Sequence, residues 1–369
     1  MTAGEAVVAN SGSPEAAFEG RVPNETTAAV WRGGDLIDME TFPIPALRAG
    51  EALIRVDLAT VCGSDRHTVG GRRRQPCPSI LGHETVGTVV AKRGRIETID
   101  GTELRIGRRV IWSVTLPCGT CDRCARGITA KCRHLKKAGH EALESGWALS
   151  GGYAGHVLLP RGMPIAVVGD DLPDELAAPA ACATATVMAV AERAGELAGK
   201  RIAVIGAGML GLTAAAVAAA AGAVAVTSID ISADRRALAG RFGATRAVGS
   251  VPDAGTIDVL FEFSGSRSAL QQGLALLDIG GIAVLAGTVA PDGLLEIDPE
   301  STVRNHTSIH GQHNYEPRHL LAALEFLSGS AQTYPWTELV APARPMSELR
   351  GLLTGPPGPA PREAVRPSR

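Results

Sequence analysis

The strongest constraint on the fold is a stretch of 28 residues, positions 202–229, that contains no charged side chain. About 20 apolar residues are enough to form a transmembrane helix. The local pattern predicts something else, because the β-branched run Ile202–Ile205 is followed by three glycines, an alanine-rich stretch and a second apolar run, Val224–Ile229. Strand, turn, helix and strand in that order indicate a parallel sheet, and a helix buried against such a sheet is apolar all round. We therefore expect no membrane span.

The turn inside this stretch reads Gly206-Ala-Gly208-Met209-Leu210-Gly211. In the G-x-G-x-x-G pattern the glycines allow a tight turn, close approach of the backbone to a pyrophosphate, and close packing of helix on strand. The backbone N–H groups of the first helical residues, Met209 and Leu210, are expected to face the phosphates of a bound dinucleotide. The motif is weak alone, but its position between a strand and a helix predicts a dinucleotide site.

Asp230 ends the next strand, 19 residues after Gly211. A carboxylate there can accept hydrogen bonds from the adenosine ribose and would repel a 2′-phosphate, which favours NAD over NADP. Arg235 is included among the cofactor-binding residues, and with Arg236 it leaves NADP open. The alternative is a Rossmann-type domain without a nucleotide, in which Asp230 is a surface cap.

The patterns along the 369 residues divide the chain into an α/β protein of two domains. Short apolar runs broken by Gly and Pro predict a β-rich domain, whereas alternating strands and helices predict a doubly wound parallel sheet. The predicted segments are a mobile N-terminal arm (1–27), the β-rich domain (28–183), the doubly wound domain (184–312) and a disordered, proline-rich tail (355–369).

Charge and cysteine content exclude several classes of protein. The 36 Lys and Arg against 38 Asp and Glu give a net charge of −2, which argues against nucleic acid and anionic membranes as partners. Seven cysteines cannot form a complete set of disulfides. Residues 1–27 lack the basic and apolar regions of a secretory signal, so we expect a cytoplasmic protein.

Four of the cysteines lie within fifteen residues, and they are Cys118, Cys121, Cys124 and Cys132. Thiolates at this spacing can surround a tetrahedral ion, and a shell of four cysteines is typical of structural zinc. An iron–sulfur cluster normally has a shorter third gap. Neighbouring Arg and Lys residues also allow a nucleic-acid-binding zinc module, which the net charge disfavours.

A second set is dispersed: Cys62 in Cys-Gly-Ser-Asp, His83 in Gly-His-Glu, and Cys182 just before the doubly wound domain. Two cysteines and one histidine leave one tetrahedral position open, which is the arrangement of a catalytic zinc site, and alcohol dehydrogenase is the standard example. From the residues alone, the alternative that these are ordinary core residues stays open.

Together, the Cys-Gly-Ser-Asp box, the Gly-His-Glu box, the four-cysteine segment and the glycine turn resemble the zinc-dependent medium-chain alcohol dehydrogenase family, over about Ala28 to Leu353. The resemblance implies a GroES-like catalytic domain, residues 28–183 completed by 313–354, around a Rossmann domain with the active site in the cleft. It also implies a homodimer or homotetramer.

The resemblance assigns roles by position. Cys62, His83 and Cys182 would bind the catalytic zinc, and Glu84 would lie behind the metal. Asp65 would hydrogen-bond the far nitrogen of His83 and fix its tautomer. Ser64 and His67 would form a proton relay from the substrate hydroxyl to solvent. Thr186 would lie near the nicotinamide.

Three short strings, Thr60–Asp65, Cys182–Thr186 and His313–Pro317, resemble a branch of the family associated with phosphonate metabolism. Arg72, Arg73 and Arg74 lie between two predicted zinc ligands, and arginine suits phosphate-like oxygens. A solvated basic loop is the alternative. A second Gly-His-Glu string at His140 and Glu141 is interpreted as a decoy or a pocket residue, and Cys77 is left without a role.

The sequence thus predicts hydride transfer between a small alcohol and NAD, with zinc lowering the pKa of the substrate hydroxyl. The sequence does not identify the alcohol; a hydroxyalkylphosphonate or another small anionic alcohol is one candidate. The alternatives are a polyol or amino-alcohol dehydrogenase of the same family, or a non-catalytic zinc protein that senses NAD. Two zinc ions per chain would support the enzyme.

Overall fold

The computed structural model describes residues 17–367. Its strands are β1 (Phe18–Gly20), β2 (Glu25–Trp31), β3 (Ile37–Pro43), β4 (Ala52–Val61), β5 (Ser79–Ile80), β6 (Glu84–Arg93), β7 (Arg109–Trp112), β8 (Thr115–Leu116), β9 (Lys136–Lys137), β10 (His156–Leu159), β11 (Ile165–Val167), β12 (Arg201–Ile205), β13 (Ala225–Ile229), β14 (Arg246–Val248), β15 (Ile257–Glu262), β16 (Leu277–Leu285), β17 (Ser308–Gly311), β18 (Arg344–Pro345) and β19 (Glu363–Arg366). Its α-helices are α1 (Gly63–Val69), α2 (Asp122–Ala125), α3 (Asp174–Pro179), α4 (Ala185–Ala194), α5 (Met209–Ala220), α6 (Ala233–Arg241), α7 (Arg267–Leu274), α8 (Pro299–Asn305), α9 (Pro317–Ser330) and α10 (Leu349–Thr354).

The chain forms two compact units. Unit 1 runs to Cys182 and also contains Glu316–Leu324 and the residues from Val340 onward, whereas unit 2 contains Ala183–Tyr315 and Glu325–Leu339. Within residues 17–367, no helix combines the length and the apolar character needed to cross a bilayer.

Unit 2 is built on six parallel strands in the order β14-β13-β12-β15-β16-β17. Counted along the chain this is 3-2-1-4-5-6, the order of a dinucleotide-binding Rossmann sheet, so the predicted doubly wound sheet is confirmed. Alternate residues of β12 face opposite sides: Ile202 and Val204 belong to one apolar cluster and Ala203 and Ile205 to the other. Both faces are therefore buried, as the charge-free sequence requires.

Unit 1 is centred on a mixed, largely antiparallel sheet of eight strands, in which β4 and β6 are the longest at ten residues each. The β4–β6 pairing contains two irregularities, between Leu53 and Ile54 and between Val56 and Leu58. Such irregularities bend a strand and increase its twist. A three-stranded sheet, β3-β2-β5, and the short pair β8-β9 complete the β structure of this unit.

Both predicted termini differ from the structure. Residues 1–16 of the expected mobile arm lie outside the described part, but β1 pairs with β6 and β2 pairs with β3, so residues 18–20 and 25–27 are ordered strands. The tail is not disordered throughout, because Glu363–Val365 pairs antiparallel with β4. The prolines of residues 355–361 led to the prediction of disorder. The short strand that follows them, Glu-Ala-Val-Arg, is stabilised by this long-range pairing.

The return of the chain to unit 1 is also more complex than the single boundary expected at residue 313. The later part of α9 and the segment after it belong to unit 2, where Tyr334 and Trp336 pack against Phe242. Arg241 and Glu338 add a bidentate ion pair. The aromatic contacts that hold this segment in unit 2 join residues about 90 positions apart, so local sequence patterns could not predict the boundary.

Candidate metal and nucleotide sites

The dispersed cysteine and histidine residues converge in unit 1. The donor atoms of Cys62, His83 and Cys182 lie within 4.8 Å of one another, together with a carboxylate oxygen of Glu84. The β4–β6 register pairs Thr60 with Glu84, so the residues just beyond β4 and just before β6 are neighbours. Cys182 lies on a π-helical turn between α3 and α4. The fold thus brings three predicted ligands together.

Hydrogen bonds already engage both carboxylate oxygens of Glu84. Thr60 Oγ1 donates to Oε2 at 2.7 Å, and Arg362 donates from Nε to Oε2 at 2.8 Å and from Nη2 to Oε1 at 2.9 Å. Two thiols and one imidazole therefore remain as the donors best placed for a metal. This donor set suits zinc and leaves one tetrahedral position for a substrate oxygen.

The pKa values of the two buried thiols, Cys62 and Cys182, are shifted in opposite directions. The hydrogen bond from Cys182 lowers the pKa of Cys62 well below its ordinary value, although burial opposes this effect, and the nearby Arg362 and His83 contribute in the same direction. The same hydrogen bond raises the pKa of Cys182 well above its ordinary value, and burial adds to the increase. A cation between the thiols would stabilise the second thiolate as well.

Asp65 supports both the histidine and the cysteine. Its Oδ1 lies 3.3 Å from His83 Nδ1, and its Oδ2 accepts hydrogen bonds from the Tyr153 hydroxyl at 2.9 Å and the Cys62 backbone N–H at 3.1 Å. Burial alone would lower the pKa of His83, but the negative charges of Asp65 and Cys62 raise it well above its ordinary value. The contact leaves His83 Nε2 for the donor cluster.

Arg362 is a residue of this site that the sequence analysis missed. It lies immediately before β19, its side chain is 7% exposed, and it forms the bidentate pair with Glu84. Burial alone would lower the pKa of Arg362, but Glu84 and Cys62 raise it. Burial raises the pKa of Glu84 to about 7, and the positive charge of Arg362 is the largest effect that opposes this rise. The sequence signal that could have indicated a strand here is the short apolar pair Ala364-Val365, which follows the charged residue Arg362 closely.

The two relay residues lie on α1. Ser64 Oγ is 3.4 Å from His83 Nε2, so this hydroxyl is beside the donor cluster. His67 is three residues further along the same helix and therefore on the same face as Ser64. Burial and the positive charge of Arg72 lower the pKa of His67.

The second Gly-His-Glu string lies at the same site. The ring of His140 is centred 4.9 Å from the ring of His83, so it lies beside the candidate metal ligands, although it is not among the four residues whose donor atoms cluster there. Glu141 is occupied otherwise, because its carboxylate accepts a hydrogen bond from the Lys137 backbone N–H at 2.9 Å. Cys77 is an exposed thiol whose sulfur lies 3.7 Å from the Trp31 carbonyl oxygen.

The three arginines of the basic loop differ in exposure. Arg73 is half-buried, whereas Arg72 and Arg74 are exposed. The backbone N–H groups of Arg72 and Arg73 both donate to the carbonyl oxygen of His67. The loop is therefore attached to the helix that carries the predicted relay.

The four clustered cysteines place their sulfur atoms within 4.8 Å of one another. Backbone N–H groups of Cys118 and His134 donate to the Cys132 sulfur at 3.2 and 3.3 Å. A hydrogen bond from the Arg133 backbone is the largest cause that lowers the pKa of Cys121 to about 6. The four sulfur atoms form a donor set that suits a closed zinc site with no position for substrate.

The nucleotide motif lines a cavity of about 630 Å³ in unit 2. Gly206, Gly208 and Asp230 are among its walls. A Cβ on Gly211 would lie 1.7 Å from the Gly206 carbonyl oxygen, which explains why only glycine fits there. The Asp230 carboxylate accepts the backbone N–H groups of Ala207 at 2.7 Å and of Ser232 at 2.8 Å.

The other predicted cofactor residues lie on three different helices, and not all of them are next to the glycine turn. Met209 and Leu210 form the first turn of α5, as expected. Arg235 lies in the first turn of α6, where its backbone N–H is bonded to the Ser232 cap. Arg236 donates to the carbonyl oxygens of Asp230 and Ile231, and Thr186 lies half-buried on α4 without lining the cavity.

Comparisons with known proteins agree with this geometry. Residues 48–169 match the alcohol dehydrogenase GroES-like domain, and residues 210–329 match the zinc-binding dehydrogenase domain. L-threonine 3-dehydrogenase of Chelativorans sp. (strain BNC1) is 32% identical over 334 residues, covering 86% of this chain and 87% of that protein. 5-exo-hydroxycamphor dehydrogenase of Pseudomonas putida is 30% identical over 323 residues, covering 82% and 88%.

Among solved structures, an alcohol dehydrogenase of Thermotoga maritima superposes with a TM-score of 0.85 at 25% identity, covering 93% of this chain and all of that one. The fold expected from the resemblance, a GroES-like domain with a Rossmann domain, is confirmed. Zinc and NAD(P) are the cofactors that fit these domains and donor sets. The chain therefore belongs to the zinc-dependent medium-chain alcohol dehydrogenase family.

Proposed function

We propose that this dehydrogenase interconverts a small anionic alcohol and the corresponding aldehyde or ketone, with NAD as hydride acceptor and one zinc ion held by Cys62, His83 and Cys182. The observation that carries the proposal is the convergence of these three donors while both oxygens of Glu84 are engaged elsewhere. A second, structural zinc is assigned to the four clustered cysteines.

Zinc at such a site supplies a Lewis acid that lowers the pKa of the substrate hydroxyl. The protein's own groups would then move the proton. Ser64, 3.4 Å from His83 Nε2, would take it from the hydroxyl, and His67, about one turn along α1, would pass it to solvent. Asp65 and Arg362 are positioning residues, because they hold His83 and Glu84. Thr186 is assigned to the nicotinamide side.

We assign NAD as the preferred coenzyme. The carboxylate of Asp230 lines the nucleotide cavity, and its two oxygens retain lone pairs for ribose hydroxyls after accepting the N–H groups of Ala207 and Ser232. A 2′-phosphate would meet this negative charge. The guanidinium of Arg236 is bonded to two backbone carbonyls at the same edge and is less available to a phosphate.

The substrate class favoured here is a hydroxyalkylphosphonate or a similar anionic alcohol, on account of the basic loop at Arg72, Arg73 and Arg74. An amino alcohol is the second candidate, since the similar protein from Chelativorans is an L-threonine 3-dehydrogenase. We also propose a homodimer or homotetramer in the cytoplasm. Exposed apolar side chains of unit 2, such as Ile279, Leu294 and Val303, are consistent with self-association.

Zinc counting combined with one substitution tests the central proposal. The wild-type protein should hold two zinc ions per chain and reduce NAD with an alcohol from a panel of neutral alcohols, polyols, amino alcohols and hydroxyalkylphosphonates. Cys62→Ser should abolish turnover, reduce the zinc count to one and leave NAD binding measurable by calorimetry. A wild-type count of one with NAD binding but no turnover would instead indicate an NAD-sensing protein.

A further inference from the structure

Lys137 is a cation held in a rigid segment next to the candidate metal ligands. It lies on β9, where it pairs with Thr115 of β8, and it is half-buried. The next residues are fixed by hydrogen bonds from Ala138 N–H to Val114 and from Gly139 N–H to Ser150. A lysine in this segment cannot easily move its backbone to reach solvent.

The same segment packs directly on the loop that carries His83. A Cβ on Gly139 would lie 2.4 Å from the carbonyl oxygen of Gly82, so the two backbones are in close contact. One residue later, the ring of His140 lies 4.9 Å from the ring of His83. Lys137 is therefore two residues from a contact with the metal-ligand loop.

Arg73 approaches Lys137 from the basic loop. Gln75 donates from Nε2 to the Gly139 carbonyl oxygen at 3.1 Å, which attaches this loop to the Lys137 segment. Burial lowers the pKa of Lys137 to about 8, and the positive charges of Arg73 and then Lys131 contribute to the shift. The charge of Arg73 also acts on His140. Arg73 is thus close enough for its charge to act on Lys137.

Neither cation has a counter-ion among residues 17–367: the side chains of Lys137 and Arg73 form no ion pair there. The nearest acidic side chain in sequence, Glu141, bonds to the Lys137 backbone. Partly buried like charges without a partner carry an energetic cost unless an anion joins them. Two cations beside the loop that carries a candidate metal ligand match a group with two negative charges.

We propose that Lys137 and Arg73 together bind the phosphonate or phosphate group of the substrate, and so determine specificity for a doubly charged alcohol. This inference rests on the proposed function. It assigns the anion to Arg73 of the basic loop and Lys137 of β9, and not to the three loop arginines as a group. Arg74 has no part in it. The anion would lie beside the open position of the donor set formed by Cys62, His83 and Cys182.

The test compares Lys137→Gln and Arg73→Gln with Lys136→Gln, a neighbouring exposed lysine, and with Arg105→Gln, an exposed arginine elsewhere. Binding of methylphosphonate, measured by calorimetry without turnover, should weaken about 10-fold or more in each of the first two variants, as expected for loss of a charge-assisted bond. KM for 2-hydroxyethylphosphonate should rise by a similar factor, while kcat/KM for 1-propanol stays within about 2-fold. The control variants should match the wild type.

The outcomes separate this inference from the proposed function. Oxidation of 1-propanol with unchanged methylphosphonate binding in Lys137→Gln would overturn the inference and leave the dehydrogenase activity standing. A preference for a hydroxy acid with a single carboxylate over 2-hydroxyethylphosphonate would overturn the assigned substrate class. Methylphosphonate binding that depends on both cations in a protein that oxidises no alcohol would support the anion site and refute the proposed function. Equal inhibition by inorganic phosphate would identify the oxyanion itself as the recognised group.

Discussion

At the scale of single residues, the ion pair between Arg362 and Glu84 controls the charge behind the candidate zinc site. Glu84 is 0% exposed, and its partner supplies two of its three hydrogen bonds. Removing one member of a buried pair leaves the other without compensation, and the cost of that exceeds the benefit of forming the pair.

Arg362→Met is expected to lower the free energy of unfolding by about 3–5 kcal/mol, because it leaves an unpaired carboxylate in the core. Urea denaturation at a fixed, saturating zinc concentration measures the change. The double variant Arg362→Met with Glu84→Gln removes the unpaired charge and should recover part of the loss. A single variant as stable as the wild type would show that solvent or another group compensates Glu84.

A pair of glycines gives the second prediction at this scale. Gly211 and Gly240 both lie in helices, but a Cβ at Gly211 would collide with the Gly206 carbonyl, whereas a Cβ at Gly240 would meet nothing within 4 Å. Gly211→Ala should therefore weaken NAD binding at least 10-fold while both zinc ions remain bound. Gly240→Ala should leave NAD binding unchanged and stabilise α6 by up to about 1 kcal/mol. Equal NAD affinity in the two variants, measured by fluorescence titration, would contradict the role of the turn.

At the scale of elements, β19 shows what the chain gains from long-range pairing. Glu363, Ala364 and Val365 pair with Val61, Thr60 and Ala59 of β4, so the strand supports the residues that lead into Cys62. The short run of four residues has no stability of its own, and its order depends on β4.

Hydrogen exchange tests this strand directly. The backbone amides of β19 that bond to β4 should exchange slowly, with protection similar to that of β4 itself, whereas the amides of Gly358 and Ala360 in the preceding proline-rich segment should exchange rapidly. The comparison uses peptides from one digest of the wild-type protein, so it needs no variant. Equally fast exchange across 356–367 would support the disordered tail predicted from composition.

Elements with local signals were predictable from the sequence, and those fixed by distant partners were not. The glycine turn, the strand before it and the cysteine spacing are local, because each depends on residues within about fifteen positions. Asp65 and Glu84 followed only from the family resemblance. Arg362 meets Glu84 across 278 residues, and Tyr153 meets Asp65 across 88, so no periodicity or spacing connects them.

At the scale of the whole molecule, the two metal sites have different openness and should respond differently to chelation. A chelator is expected to remove zinc first from the three-donor site, which has a position open to ligands, and later from the closed four-cysteine site. Turnover should fall to zero when the zinc count falls from two to one, while NAD binding in unit 2 persists. Loss of both ions at a single rate, followed by atomic absorption, would contradict this separation.

The link between Glu84 and Arg362 also has a consequence for biosynthesis. Glu84 leaves the ribosome 278 residues before its counter-ion, a delay of roughly 14–56 s at ordinary translation rates. During that interval the β4–β6 pair can form, but burial of the carboxylate between these strands remains uncompensated. For most of its synthesis, the nascent chain therefore lacks the arginine that pairs with Glu84. The charged pair behind the candidate metal ligands can form only after Arg362 has left the ribosome.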